Sequence, residues 1–343
     1  MQNKNLVSVI IVNWNGKNWL KYSLPTITNQ DYKNIEVIVV DNNSSDGSIE
    51  YISKNFPNIQ IILNQTNEGF ANANNIGFSK ASGEYILFLN NDTVVSKNLV
   101  KDLMLFFDKN INVGIVQPKI HLFDNTELLD SVGSFLTSSG FLYHFGVNKK
   151  NLNIYKKRTE LYSVKGACMM AKTDCLNRAS VGGEIFDSSY FAYFEETDLC
   201  HRVWLTGKSV LFYPKSLVLH KMGGTSEGMN NNFIQYHSYK NRINTYLKNL
   251  SFKKMVQLLP LHILLIIIFS ITSLIRGNPG LFLAIHKAII WNLINIKETI
   301  GKRNYIQKNI RVVSDDSFWK SIFKNPKISY YYHLFSSLKG YND

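Results

Sequence analysis

The chain has 343 residues, 45% hydrophobic and 13% aromatic, which excludes a disordered polymer and supplies a sizeable core. A formal net charge of +13 points to a polyanionic partner: nucleic acid, an anionic membrane surface or phosphorylated small molecules. Three cysteines with no CxxC pair argue against a disulfide framework and read as reduced thiols.

Val7–Val12 is the first apolar run. It is too short for the core of a signal peptide and reads as a strand, so the chain is expected in the cytoplasm. It breaks at Asn13-Trp14-Asn15-Gly16, after which Trp19, Leu20, Leu24 and Ile27 recur at helical spacing. Ile35–Val40 is a second strand ending at Asp41, and Ser44-Ser45-Asp46-Gly47 offers caps for the next helix. Ile59–Leu63, Glu84–Leu89 and Val113–Val116 are further strands, with helices expected over Gly69–Ala81 and Lys97–Lys109. Uninterrupted apolar strands alternating with helices predict an α/β fold with a mainly parallel sheet.

Residues 121–165 are polar and rich in Ser, Asn and Lys, and predict an irregular excursion with a mobile loop near Asn148–Lys157. Val164–Ala171 and Ser209–His220 read as strands, with a helix over about Glu195–Leu205. The composition shifts near Ser251 to two apolar runs, Val256–Ile275 and Leu281–Ile296. Lys253, Lys254, Arg276, Lys287, Lys297, Lys302 and Arg303 surround them, a pattern that suits an anionic membrane surface better than a duplex groove. No nucleic-acid partner is expected. The first run is long enough to span a bilayer, although Pro260 and His262 interrupt it, and the second is short and amphipathic. Interfacial, spanning and protein-buried helices remain open. Lys240-Asn241-Arg242, just before this tail, could meet an anionic lipid or a diphosphate, but reads better as a solvated helix face.

Polar groups close four strands: Asn13 to Asn15, Asp41 to Asn43, Asn90 to Asp92, and the segment after Ala171. No GxGxxG follows the first strand and no GxxxxGK[ST] occurs, which argues against dinucleotide cofactors and P-loop hydrolysis. Ligands of open α/β sheets gather beyond the carboxyl ends of strands, where Asp92 is placed to hold a divalent ion through hard oxygen. Asp41 could accept from a pyrimidine N3–H or serve as a turn residue.

Val7–Gly16, Val39–Gly47 and Asn67–Gly77 resemble successive nucleotide-binding segments of glycosyltransferase family 2, and Asn90-Asn91-Asp92 stands where that family carries its metal-binding DxD-like motif. Gly166–Met170, Phe191–Arg202 and Tyr213–His220, with Gly223-Gly224-Thr225-Ser226 after it, resemble the acceptor-side segments of its rhamnosyltransferase-like branch.

The resemblance implies a GT-A fold, the Rossmann-like sheet of nucleotide-diphospho-sugar transferases. Residues 1–250 would form that domain, with 5–120 binding the nucleotide sugar and 121–250 on the acceptor side. Residues 251–343 would be a helical membrane-associating tail. It also implies donor contacts from Asn13, Asp41, Asn43, Asn67, Asn75, Asn90 and Asn91, and an Mg²⁺ or Mn²⁺ ion on Asp92 and His220. Glu196 takes the position of the family's base, where Glu-Asp is usual. The expected partners are a nucleotide-diphosphate sugar, a glycan or lipid-linked saccharide acceptor, and an anionic membrane surface at its cytoplasmic face.

An inverting transfer needs one carboxylate to take the acceptor hydroxyl's proton. Adjacent helix residues point about 100° apart, so Glu195 and Glu196 are not both expected to face the sugar. Pairing of Asp198 with Arg202 at i, i+4, beside an acidic first turn, is the structural alternative for the cluster. A non-catalytic membrane-bound relative is the alternative for the whole chain.

Overall fold

The computed structural model describes residues 3–221 and 230–335. Gly223-Gly224-Thr225-Ser226 lies outside the described residues. In chain order come β1 (Asn3–Asn13), α1 (Lys17–Thr28), β2 (Ile35–Asp41), α2 (Ser48–Asn55), β3 (Gln60–Leu63), α3 (Gly69–Lys80) and β4 (Gly83–Leu89). β5 (Thr93–Val95), α4 (Leu99–Asp108) and β6 (Val113–Leu122) follow. Then come β7 (Leu129–Ser131), β8 (Gly133–Leu136), β9 (Leu142–Phe145), β10 (Thr159–Glu160), β11 (Cys168–Lys172), α5 (Thr173–Ala179), α6 (Glu195–Leu205) and β12 (Ser209–His220). The helices α7 (Asn231–Asn249), α8 (Phe252–Ile275), α9 (Pro279–Ile294), α10 (Ile296–Tyr305) and α11 (Asp315–Ile322) complete the order used below.

Among the described residues, one sheet runs β10-β12-β6-β11-β4-β1-β2-β3. β3, β2, β1 and β4 are parallel neighbours, β11 runs antiparallel to both β4 and β6, and β12 runs parallel to β6. Each central strand is buried on both faces because alternate side chains serve different layers. In β4, Ile86 and Phe88 join the core that includes α5 and α6, while Tyr85, Leu87 and Leu89 join the core of α1 and α4.

Two expectations change. β6 continues through Gln117, Pro118 and Lys119 to Leu122, six residues past its apolar run. Gln117 is fully buried there because its amide donates to Ser131 O (3.0 Å) and accepts from Lys165 N (2.6 Å). Internal satisfaction of that kind removes the cost of burying a polar group, about 1–3 kcal/mol. The 121–165 stretch is not an irregular excursion: β8 and β9 form an antiparallel hairpin, and Leu129, Val132, Phe135, Leu136, Leu142 and Phe145 enter the main core. Within Asn148–Lys157 a 3-10 turn buries Tyr155, whose ring lies 5.0 Å from Phe145.

Capping also differs in detail. Asp46, not Ser44 or Ser45, serves α2, accepting from Ser48 N (3.0 Å), and it also accepts from Lys17 N (2.8 Å) at the start of α1. The boundary at residue 250 falls on the turn between α7 and α8. α9 and α10 then pack back onto α7, burying Ile285, Ala288 and Asn292.

Candidate active site

The strand ends of the parallel half are tied into one hydrogen-bonded row. Asn91 Nδ2 donates to Asn13 Oδ1 (2.9 Å), and Asn13 Nδ2 donates to Asp41 Oδ1 (2.8 Å). The Ser44 hydroxyl and amide complete Asp41 at 2.7 and 2.8 Å. Gly16 makes this approach possible, since a Cβ there would fall 2.1 Å from Asn91 Nδ2 and 2.4 Å from Asn13 Oδ1.

Asn90, Asn91 and Asn67 line a cavity of about 510 Å³, as do Trp14 and Asn42, which sequence reading did not single out. Asn13, Asp41, Asn43 and Asn75 do not line it. Asp41 is buried and accepts from Asn13 and Ser44, bonds that order the β2 turn. Asn43 is exposed with φ +61°. Asn75 pairs with Phe186, donating to its carbonyl (2.8 Å) and accepting from its amide (3.0 Å).

β5 pairs with β12 so that Thr93 stands opposite His220, bringing Asp92 and the imidazole together. His220 Nε2 lies 3.4 Å from Asp92 Oδ1, and His220 Nδ1 lies 2.9 Å from Asp130 Oδ2. Asp130, on β7, was missed. Its signal is a carboxylate directly after Leu128-Leu129 in a stretch read as irregular. Burial pushes the imidazole down, but the Asp130 carboxylate hydrogen-bonded to it and the nearby Asp92 carboxylate outweigh it and raise His220 to about 9.

A carboxylate behind one imidazole nitrogen fixes ring orientation and leaves the other nitrogen for a metal. Asp92 Oδ1 is buried with no hydrogen-bond donor, which fits a hard cation between the two side chains. Among the described residues no cluster of three His, Cys, Asp or Glu could hold a metal. An ion at Asp92 and His220 therefore needs substrate oxygens to complete its shell.

The opposite wall is the start of α6. Phe191, Tyr193 and Phe194 hold φ of +46°, +69° and +75°, three positions of one turn with the positive φ that non-glycine residues rarely adopt. Asn241 Nδ2 donates to the carbonyls of Tyr190, Ala192 and Tyr193, while Phe70 N and Ala71 N donate to Phe191 O. The turn delivers both Glu195 and Glu196 to the cavity.

Each glutamate keeps one buried oxygen without a partner. Burial, then Glu196, holds the Glu195 carboxyl well above the usual range. Burial also raises Glu196, while a backbone amide at the helix start and then Lys165 draw it back. Asp198 takes the structural role expected of it, pairing with Arg202 (2.9 Å) and Lys248 (3.3 Å) in the interior.

Lys240-Asn241-Arg242 is not a solvated face. All three are buried, Lys240 donating to Ser189 O (2.6 Å) and Arg242 lining the cavity.

Residues 8–173 match the family model described as glycosyl transferase family 2. An uncharacterized glycosyltransferase of Haemophilus influenzae is 34% identical over 116 residues, 33% of this chain and 36% of that protein. A Campylobacter jejuni GalNAc(5)-diNAcBac-PP-undecaprenol beta-1,3-glucosyltransferase is 30% identical over 165 residues, 46% of this chain and 50% of that one. The chain thus spans half or less of the length of these relatives. The crystal structure of Staphylococcus aureus TarS 1-349 superposes with TM-score 0.56 at 15% identity, over 89% of this chain and 87% of that one. GalNAc-T7 with UDP, GalNAc and Mn²⁺ superposes with TM-score 0.57 at 18% identity, over 72% and 48%. The fold is GT-A, and residues 8–173, just under half of the chain, are similar to glycosyl transferase family 2.

Proposed function

We propose that the chain is an inverting, metal-dependent glycosyltransferase that moves a sugar from a nucleotide-diphosphate donor to a hydroxyl of a lipid-linked or cell-surface glycan. One observation carries the reading: the Asp92–His220 pair and the Glu196 carboxyl line the same cavity. Asp92 and His220 would hold Mg²⁺ or Mn²⁺, which when bound offsets the charge growing on the diphosphate leaving group. Glu196, whose carboxylate form is favoured by a backbone amide and then by Lys165, takes the acceptor hydroxyl's proton as its oxygen attacks the anomeric carbon. Glu195 stays protonated and donates to a sugar oxygen. Asn42, Asn67, Asn90 and Asn91 bracket the nucleotide and ribose, with Asp41, Asn13 and Asn75 positioning that wall. The bound UDP of GalNAc-T7 supports a nucleotide-diphosphate donor, and a UDP-hexose or a dTDP-rhamnose-like deoxyhexose both fit the reading.

The C-terminal helices favour attachment at the cytoplasmic face of the membrane. α8 is long and apolar enough to cross a bilayer. Yet Leu258, His262, Ile266, Ser270 and Ser273 face the protein along one side, while Leu261, Leu264, Ile268, Ile271 and Ile275 are exposed on the other. A one-sided apolar stripe beside exposed Lys253, Arg276, Lys287 and Lys297 supports a helix lying in the interface. Lys254, Lys302 and Arg303 serve elsewhere: Lys254 pairs with Asp316, Lys302 with Asp187, and Arg303 donates to Leu250 O. The lipid diphosphate in the name of the Campylobacter relative supports an acceptor held at such a surface. The test is release of free nucleotide diphosphate across a panel of UDP- and dTDP-sugars, with and without Mn²⁺. Binding of no donor with metal present would overturn the reading and leave a non-catalytic scaffold.

A further inference from the structure

Arg242 is a buried cation of the cavity wall with no counter-charge. Its side chain is 9% exposed, and its guanidinium carbon lies 5.2 Å from the rings of Phe141 and Phe194 and 5.5 Å from that of Tyr239. Its Nε has no hydrogen-bond partner, and among the described residues it forms no ion pair. Arg202 is matched by Asp198, Lys248 by Asp187, and Lys165 lies 3.8 Å from Asp130, while Lys240, the other buried cation of α7 without an ion pair, donates to Ser189 O. Aromatic faces attract a guanidinium but accept few of its five N–H bonds, so its planar fork remains open towards the cavity. His144, also on the wall, adds no negative charge: burial, then Lys165 and Arg242, push its imidazole down to about 3.

Arg242 stands on α7 beside Phe194, the residue preceding Glu195, whereas Asp92 and His220 stand at the ends of β4 and β12. The fork is thus on the side where a hydroxyl must meet Glu196. Its planar, bidentate geometry suits a carboxylate or a phosphate. We propose that Arg242 makes the acceptor subsite selective for a sugar or polyol that carries an anionic group. The proposal deepens the glycosyltransferase reading and rests on it for the word acceptor.

The experiment titrates two charged probes, glucuronate and glycerol 3-phosphate, and their neutral counterparts, glucose and glycerol, by saturation-transfer NMR. Each is measured against the full chain alone and with UDP and Mn²⁺. Wild type is expected to prefer at least one charged probe by roughly tenfold or more, the range of a hydrogen bond to a charged group. Which probe wins separates carboxylate from phosphate. Arg242→Gln should abolish the preference, Arg242→Lys should restore part of it, and UDP affinity should be unchanged in both. Arg242→Gln should melt no lower than wild type, because it removes a buried charge without a partner. Equal binding of charged and neutral probes would overturn the proposal. So would a loss of UDP affinity in Arg242→Gln, which assigns the cation to the donor, or a lowered melting temperature, which marks a structural cation. Arg242-dependent selection of anions in a protein that binds no UDP would sink the glycosyltransferase reading while leaving the anion subsite standing.

Discussion

Glu195 and Glu196 line one cavity, and burial raises both carboxyls while a backbone amide and then Lys165 favour the charge on Glu196. Glu196→Gln is therefore expected to lower transfer by about 10²–10⁴-fold with donor affinity unchanged, as measured by steady-state release of nucleotide diphosphate. Transfer should rise with pH through the raised Glu196 value, because the base must be ionised. Stability runs the other way. The unfolded chain gives up these protons in the ordinary glutamate range, so the fold loses stability as pH climbs past it. Glu195→Gln should accordingly melt higher than wild type at about pH 8 and match it at about pH 4, compared by calorimetry. Asp130 touches His220 and does not line the cavity. Asp130→Asn should weaken Mn²⁺ binding in the presence of UDP by about 10–100-fold, read by electron paramagnetic resonance.

At the level of elements, the strained turn Phe191–Phe194 aims α6, and Asn241 on α7 holds two of its carbonyls and that of Tyr190 just before it. Asn241→Ala leaves those carbonyls unpaired and should cost about 1–3 kcal/mol in urea unfolding, with a loss of turnover larger than any change in UDP affinity. Neither the strain nor the brace was legible in the sequence, where Lys240-Asn241-Arg242 looked solvated, because the partners lie about 50 residues away on another element. β1, β2 and β4 were legible, since strands inside the sheet are unbroken apolar runs ending in amides or carboxylates. β7 to β9 were not: the Ser and Asn of their loops hid the apolar positions, and with them Asp130. The pairing of Asp92 with His220 was accessible through the family resemblance alone, as 128 residues separate two groups that only the β5–β12 ladder brings together.

Across the whole molecule, the tail and the GT-A core share one buried ionic network. Asp187 accepts from Lys248 and from Lys302 of α10, and burial's upward push on its carboxyl is overcome by these two cations. Lys302→Met, leaving Asp187 one cation short, should destabilise the chain by up to about 3 kcal/mol in urea unfolding, less than for a fully buried pair because Lys302 is partly exposed. Ile268→Asp, on the exposed stripe of α8, should leave solution stability unchanged and reduce sedimentation with phosphatidylglycerol vesicles. The central claim is that Asp92 and His220 hold one ion together with the donor's diphosphate, opposite Glu196. Calorimetric titration of UDP with and without Mn²⁺, on wild type and His220→Ala, tests it most directly. Tight binding that needs Mn²⁺ in wild type and is lost in His220→Ala is the predicted result; UDP binding of equal strength without the ion, or in the variant, would contradict it.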